Sequence, residues 1–350
     1  MIPSTMTEAL RLTRSGDLSG ATALLRAGLG GDAGAAGATL PADTLIDLTP
    51  GRAQAEHGGG GAPATGRFEA RHHSGPAGSI DYMLYRPATA APGMPLVVML
   101  HGCTQTPEDF ARGTGMNGLA DELGFLVAYP RQTRAANQQR CWNWFRPGDQ
   151  ARGKGEPALI AGIARDVVAA ERLDAGRVYV AGLSAGGAAA AIMADAYPDL
   201  FAAAGIHSGL ACGAARDLPG ALAAMKNGAR PSGSRTPGTR FVPVITVHGD
   251  RDATVHEANA RGIVTAAIAA TGVPITVDTE TGSAGGRRYT RARSRNGAGR
   301  VLIEQWTVSG AGHAWSGGDP AGSHADAAGP DASRAMLAFF LDHRMAEPRR

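Results

Sequence analysis

Cysteines, aromatics and long apolar runs are all scarce in this sequence of 350 residues. No stretch of 18 consecutive apolar residues occurs, so no segment reads as a transmembrane helix. The first 20 residues are interrupted by Arg11 and Asp17 and lack the apolar core of a secretory leader. The expected compartment is therefore the cytoplasm. Three cysteines (Cys103, Cys141 and Cys212) are too few for a disulfide scaffold, and no CxxC pair suggests zinc. Their spacing leaves the pairing open. The formal charge is +3, and arginines gather in Arg230 to Arg240 and Arg287 to Arg300. Neither stretch is interleaved with stacking aromatics, so no nucleic-acid partner is expected. They read instead as a solvated loop and a solvated hairpin face.

What is present is ample material for a core: 43% of residues are hydrophobic and 19% charged. Thr7 to Leu29 reads as one amphipathic helix on Leu10, Leu12, Ala21, Leu24 and Leu25, or as a helix pair turning at Ser15-Gly16-Asp17. Residues 1–29 are thus expected to form an N-terminal helical segment suited to docking. Residues 30–66 are dominated by Gly, Ala and Pro and include the run Gly58-Gly59-Gly60-Gly61. Such a stretch cannot bury enough apolar surface to offset its ordering entropy, and it reads as a flexible linker.

Residues 67–345 read as one catalytic domain. Strands are expected at Ser79 to Tyr85, Pro95 to Leu100, Phe125 to Tyr129, Arg177 to Ala181 and Phe241 to Val247. Helices are expected over Pro107 to Leu123, Glu156 to Arg172, Ala185 to Tyr197 and His256 to Ala270, with Ala332 to His343 closing the chain. Arg287 to Arg293 and Val301 to Val308 flank Asn296-Gly297 as a long antiparallel hairpin. Residues 131–155 have weak periodicity and read as a long active-site loop. This alternation implies an α/β fold whose mostly parallel sheet is covered by helices on both faces.

Gly182-Leu183-Ser184-Ala185-Gly186 matches G-x-S-x-G, and it sits between the apolar run Val178-Tyr179-Val180 and the helical run from Ala185. A nucleophile elbow needs this strand–turn–helix setting, with small neighbours around a strained serine. Serine hydroxyls need a base within hydrogen-bond reach, itself oriented by a third group. In a fold of this kind the order is Ser, then Asp or Glu, then His. Asp250 and Asp252 compete in His248-Gly249-Asp250-Arg251-Asp252, just after a buried strand. Asp252 is favoured because Val255 can anchor the next turn in the core, whereas Asp250 suits a bond to the loop backbone. His313, in Gly312-His313-Ala314-Trp315 beyond the strand ending at Val308, is the expected base. His324 reads as a solvated loop residue and His343 as a surface residue of the last helix.

An oxyanion hole of this fold takes one backbone N–H from the residue after the nucleophile, here Ala185, and one from an early strand-end loop. Cys103, following Gly102 in Leu100-His101-Gly102-Cys103-Thr104-Gln105, supplies the second. His101 is expected to brace that loop. Trp142 and Trp144, in Cys141-Trp142-Asn143-Trp144-Phe145, and Trp315 read either as a local core or as an apolar platform for a substrate chain.

These five motifs together resemble the poly(3-hydroxybutyrate) depolymerase esterase family, over roughly residues 70–345. The resemblance implies an α/β-hydrolase fold, a Ser184–Asp252–His313 triad and an oxyanion hole at Cys103 and Ala185. It further implies hydrolysis of aliphatic polyester or its oligomers without a metal or organic cofactor; on a depolymerase reading the N-terminal segment is expected to dock on polymer granules. Feruloyl and acetylxylan esterases are similar at the same motifs. A non-catalytic granule-binding protein built on a hydrolase fold is the alternative of another class.

Overall fold

The computed structural model describes residues 66–229 and 240–345, all within the unit Pro63–Arg350. The expected N-terminal helical segment, nearly all of the linker and most of the Arg230 to Arg240 stretch lie outside the described residues. The strands are β1 (Arg67–Gly75), β2 (Gly78–Arg86), β3 (Leu96–Leu100), β4 (Leu126–Pro130), β5 (Val178–Leu183), β6 (Ala203–His207), β7 (Val244–Gly249), β8 (Thr276–Ala284), β9 (Arg287–Arg295) and β10 (Val301–Val308). They form one sheet in the order β1-β2-β4-β3-β5-β6-β7-β10-β9-β8. The central run from β4 to β10 is parallel throughout. Antiparallel pairings add β2 and β1 at one side and β9 and β8 at the other.

Helices cover both faces: α1 (Pro107–Thr114), α2 (Met116–Leu123), α3 (Gly155–Ala170), α4 (Ala185–Ala196), α5 (Leu218–Asn227), α6 (Ala258–Thr271) and α7 (Ala332–Leu341). Alternation along the buried strands divides the core. Leu96, Val98 and Leu100 of β3 and Val178 and Val180 of β5 pack with α3, α4, α5 and α6. Val97 and Met99 of β3 and Tyr179, Ala181 and Leu183 of β5 pack with α1, α2 and α7. Continuous apolar runs arise because these strands are buried on both sides.

The structure adds elements and divides one. β1, β6, α5 and β8 were not expected. β6 is Ala203-Ala204-Gly205-Ile206-His207, whose small residues carry little strand signal, although all five are buried. The helix expected over Pro107 to Leu123 is two helices, because Gly115 adopts φ 63° and its N–H caps α1 on the Ala111 and Arg112 carbonyls. His343 is buried rather than on the surface, with its ring against the Phe339 and Val301 carbonyls. The hairpin arginines are neutralised locally: Arg291 pairs with Glu280 and Glu304, Arg293 with Asp278 and Glu280, and Arg295 with Asp278. Among the described residues no helix is long and apolar enough to cross a membrane.

Candidate active site

Parallel strands β5, β7 and β10, with β6 between the first two, deliver the site to the carboxyl end of the sheet. Leu183 is level with His207 on β6, His207 with Val247 on β7, and Gly249 with Val308 on β10. Ser184, Asp252 and His313 follow one, three and five residues beyond the ends of β5, β7 and β10.

Ser184 has φ 59° and ψ −120°, a region that non-glycine residues rarely occupy. Its N–H donates to the His207 carbonyl at 2.9 Å, tying the turn to β6. Close approach explains the glycines around it. A Cβ on Gly182 would overlap the Gly186 backbone, and one on Gly186 would overlap the Leu100 carbonyl. Ala185 begins α4, so the positive end of a helix faces the turn.

Asp252 is buried and fully engaged. Oδ1 accepts the N–H groups of Thr254 at 2.9 Å and Val255 at 2.8 Å. Oδ2 lies 2.7 Å from His313 Nδ1 and 3.4 Å from His248 Nε2. Burial pushes the carboxyl up, but hydrogen bonds from His248, from His313 and from the Val255 N–H hold it far below the usual carboxylate range. An ionised carboxylate only accepts, so the His313 proton is on Nδ1 and Nε2 is left as an acceptor. Asp250 instead accepts the Gly310 N–H at 2.7 Å, bracing the loop that carries His313. His324 is exposed.

The Leu100–Thr106 loop lies beside the elbow, since a Cβ on Gly102 would stand 3.7 Å from Ser184 Cβ. Its fixings are dense. Gln105 Oε1 accepts the Gly102 N–H at 2.9 Å, and Gln105 Nε2 donates to Asp109 and to the Ser323 carbonyl. His101 Nδ1–H donates to the Gly102 carbonyl at 2.8 Å, while Nε2 accepts the Gln132 N–H at 3.2 Å. Burial lowers the His101 pKa to about 4, so the ring is neutral. Cys103 is joined to Cys141 by a disulfide, and Cys212 is free. Among the described residues neither the Cys103 nor the Ala185 N–H has an acceptor.

The tryptophans correct the substrate-platform reading. Trp142, Trp144 and Trp315 are only 0%, 6% and 1% exposed, and they pack in the core. Trp142 Nε1 donates to the His101 carbonyl at 3.0 Å, and Trp315 Nε1 to Ser333 Oγ at 3.0 Å. Trp315 also stacks on His207, whose Nε2 accepts the Ser316 N–H at 3.0 Å. These indoles fix loops and present no open face to a ligand. Sequence reasoning missed His207 and gave Gln105 and His248 no part in the site. Gln105 and His248 lay inside quoted motifs, but His207 ends β6, outside all of them, and its partner Ser316 is distant in the chain. Among the described residues no group of three or more His, Cys, Asp or Glu is placed to hold a metal ion.

Poly(3-hydroxyalkanoate) depolymerase C of Paucimonas lemoignei is 34% identical over 248 residues, covering 67% of this chain and 58% of that protein. Feruloyl esterase B of Neurospora crassa is 35% identical over 134 residues, covering 38% of this chain and 45% of that protein. The chain therefore spans about half the length of these relatives. The solved acetyl xylan esterase from Aspergillus awamori shares the fold with a TM-score of 0.58 at 19% identity, over 78% of this chain and 99% of that one. Residues 80–292 match the family described as Esterase PHB depolymerase, and the chain belongs to that family.

Proposed function

We propose that this protein is a serine esterase that hydrolyses poly(3-hydroxybutyrate)-type aliphatic polyester or its oligomers. One observation carries the reading: an Asp252–His313 pair at 2.7 Å reaches the same sheet edge as a serine held at positive φ. Ser184 Oγ attacks the ester carbonyl as His313 Nε2 takes its proton. Asp252 fixes the tautomer and stabilises the imidazolium. The N–H groups of Cys103 and Ala185 receive the developing oxyanion. His313 then returns the proton to the leaving hydroxyl, and water, activated by the same imidazole, releases the acid.

The polyester preference rests on similarity to the depolymerase of P. lemoignei over two thirds of this chain. Granule docking is assigned to residues 1–29. A Leu24→Asp, Leu25→Asp variant should then lose co-sedimentation with granules while keeping turnover of soluble esters. A Cys103–Cys141 bridge favours an oxidising compartment, because disulfides are rare in reducing cytosol. This departs from the cytoplasmic expectation.

The deciding experiment compares acid-soluble product from amorphous poly(3-hydroxybutyrate) granules with turnover of methyl ferulate, using Ser184→Ala as the blank. Product from the granules supports the depolymerase reading. Turnover of the ferulate alone would make the protein a feruloyl-type esterase. Failure of a fluorophosphonate to label Ser184 would make it a binding protein.

A further inference from the structure

Glu156, at the start of α3, is a half-buried carboxyl group that the proposed mechanism does not use. Three donors from the long loop before it converge on its oxygens. The Asn143 N–H donates to Oε2 at 2.7 Å, while Asn143 Nδ2 and Gln132 Nε2 each reach Oε1 at 2.5 Å. Its own N–H donates to Asp149 Oδ1 at 2.9 Å, so the neighbouring charge has the same sign.

Both donor residues lead to the oxyanion loop. The Gln132 N–H donates to His101 Nε2, and Gln132 Nε2 also donates to the Cys141 carbonyl at 3.2 Å. Cys141 is bonded to Cys103, and Trp142, between Cys141 and Asn143, donates to the His101 carbonyl. Two segments that grip His101 and Cys103 are thus gathered on one carboxylate. Burial, followed by Asp149, pushes that carboxyl up to about 7, against the hydrogen bonds from Asn143 and Gln132. Partly desolvating such a charge is unfavourable, and a glutamine of the same shape would carry no charge to desolvate. What a carboxylate provides and an amide does not is acceptance by both oxygens from three donors at once, through short charge-assisted bonds.

We propose that Glu156 is a positioning residue for ester hydrolysis, fixing the Cys103 N–H at the oxyanion site through Gln132, Asn143 and the Cys103–Cys141 bridge. The inference rests on the esterase reading above. Misplacement by about 1 Å can cost on the order of 100-fold in rate, so a remote anchor of this kind acts on turnover.

The test is steady-state hydrolysis of p-nitrophenyl butyrate by the full chain, with melting temperature measured in parallel and Ser184→Ala as the blank. Glu156→Gln turns an amide N–H₂ toward donors. Its kcat should fall about 10- to 100-fold while KM moves less than about threefold, whatever the change in Tm, provided the enzyme remains folded. Gln132→Met removes one donor and leaves the backbone link to His101, and it should show the same split with a smaller loss in kcat. A lowered Tm with folded enzyme turning over at the wild-type rate would mean a purely structural role and overturn the proposal. So would a wild-type kcat in Gln132→Met if Glu156→Gln does not fold. Failure of the esterase reading would appear differently, as absent turnover in the wild type itself.

Discussion

His313 Nδ1 lies 2.7 Å from Asp252 Oδ2, and that oxygen also faces His248 Nε2 at 3.4 Å. The His248 proton is directed mainly at the Val255 carbonyl, 2.7 Å away, so His248 holds the turn while His313 takes the carboxylate. Removing the charge with Asp252→Asn leaves the shape but turns an amide toward His313 Nδ1–H. The imidazole would then favour the wrong tautomer, and kcat should fall about 10⁴-fold. Asp250→Asn disturbs only the brace to the Gly310 N–H and should keep most activity. Ester kinetics on the two variants check this ranking. The reverse order would move the acid to Asp250.

Ser184 and His313 make a single proton-transfer unit in the proposed mechanism, so their losses should not add. Ser184→Ala and His313→Ala should each lower kcat by about 10³-fold or more, and the double variant should be little worse than either. Ser184→Ala should melt within a few degrees of the wild type, since Ser184 Oγ makes no hydrogen bond among the described residues, whereas His313→Ala also removes the bond to buried Asp252 and should melt lower. Additive losses would contradict the assigned roles.

The site was legible where chemistry is local. Ser184 announced itself because an elbow compresses strand, turn and helix into a few residues with forced glycines. Asp252 and His313 followed from chain order and their positions after apolar strands. The fold was legible wherever a strand is buried on both faces, as in β3 and β5. It was not legible in β6, where alanine and glycine suffice because α4 and α7 press close to the sheet, nor in β8, whose alternating exposure resembles loop composition. The tryptophans were ambiguous because an indole signals a large apolar contact but not its direction. Their burial, and for Trp142 and Trp315 the donors reaching His101 and Ser333, show that they face inward. The Cys103–Cys141 pair spans 38 residues, and spacing alone does not choose among three thiols.

That bridge yields a prediction with two readouts. Closing a loop of this length stabilises a fold by about 4 kcal/mol in the chain-entropy account. The oxidised protein should therefore unfold at a clearly higher denaturant concentration than the same protein reduced with dithiothreitol. Because Cys103 is the assigned oxyanion donor, Cys141→Ser should also lower kcat with little change in KM. Stability lost without any change in kcat would separate the bridge from the oxyanion site.

Acid should unfold this protein earlier than its carboxylates alone would require. His101 and His207 are buried neutral rings with both nitrogens engaged: Nε2 accepts a backbone N–H in each, and Nδ1 donates to the Gly102 carbonyl and to Ser208 Oγ respectively. Burial lowers His101 to about 4; burial, then the charges of His248 and His313, lower His207 to about 3. An unfolded histidine titrates near 6.5, so below that pH the unfolded chain binds protons that the folded chain refuses. Stability from these two rings is therefore full above pH 6.5 and falls as pH drops toward 4 and then 3. Asp252, held low in the fold, adds a further loss below pH 4. Glu156 acts in the opposite sense, because its raised pKa makes the fold gain stability as pH falls from 7 toward 4.5. The net expectation is a shallow change between pH 7 and 6, then a steep loss below 6. His207→Gln should flatten the steep part if it folds, since the amide can accept the Ser316 N–H without taking up a proton. Urea midpoints at half-unit pH steps measure this directly. A variant with the same acid slope as the wild type would remove His207 from the account.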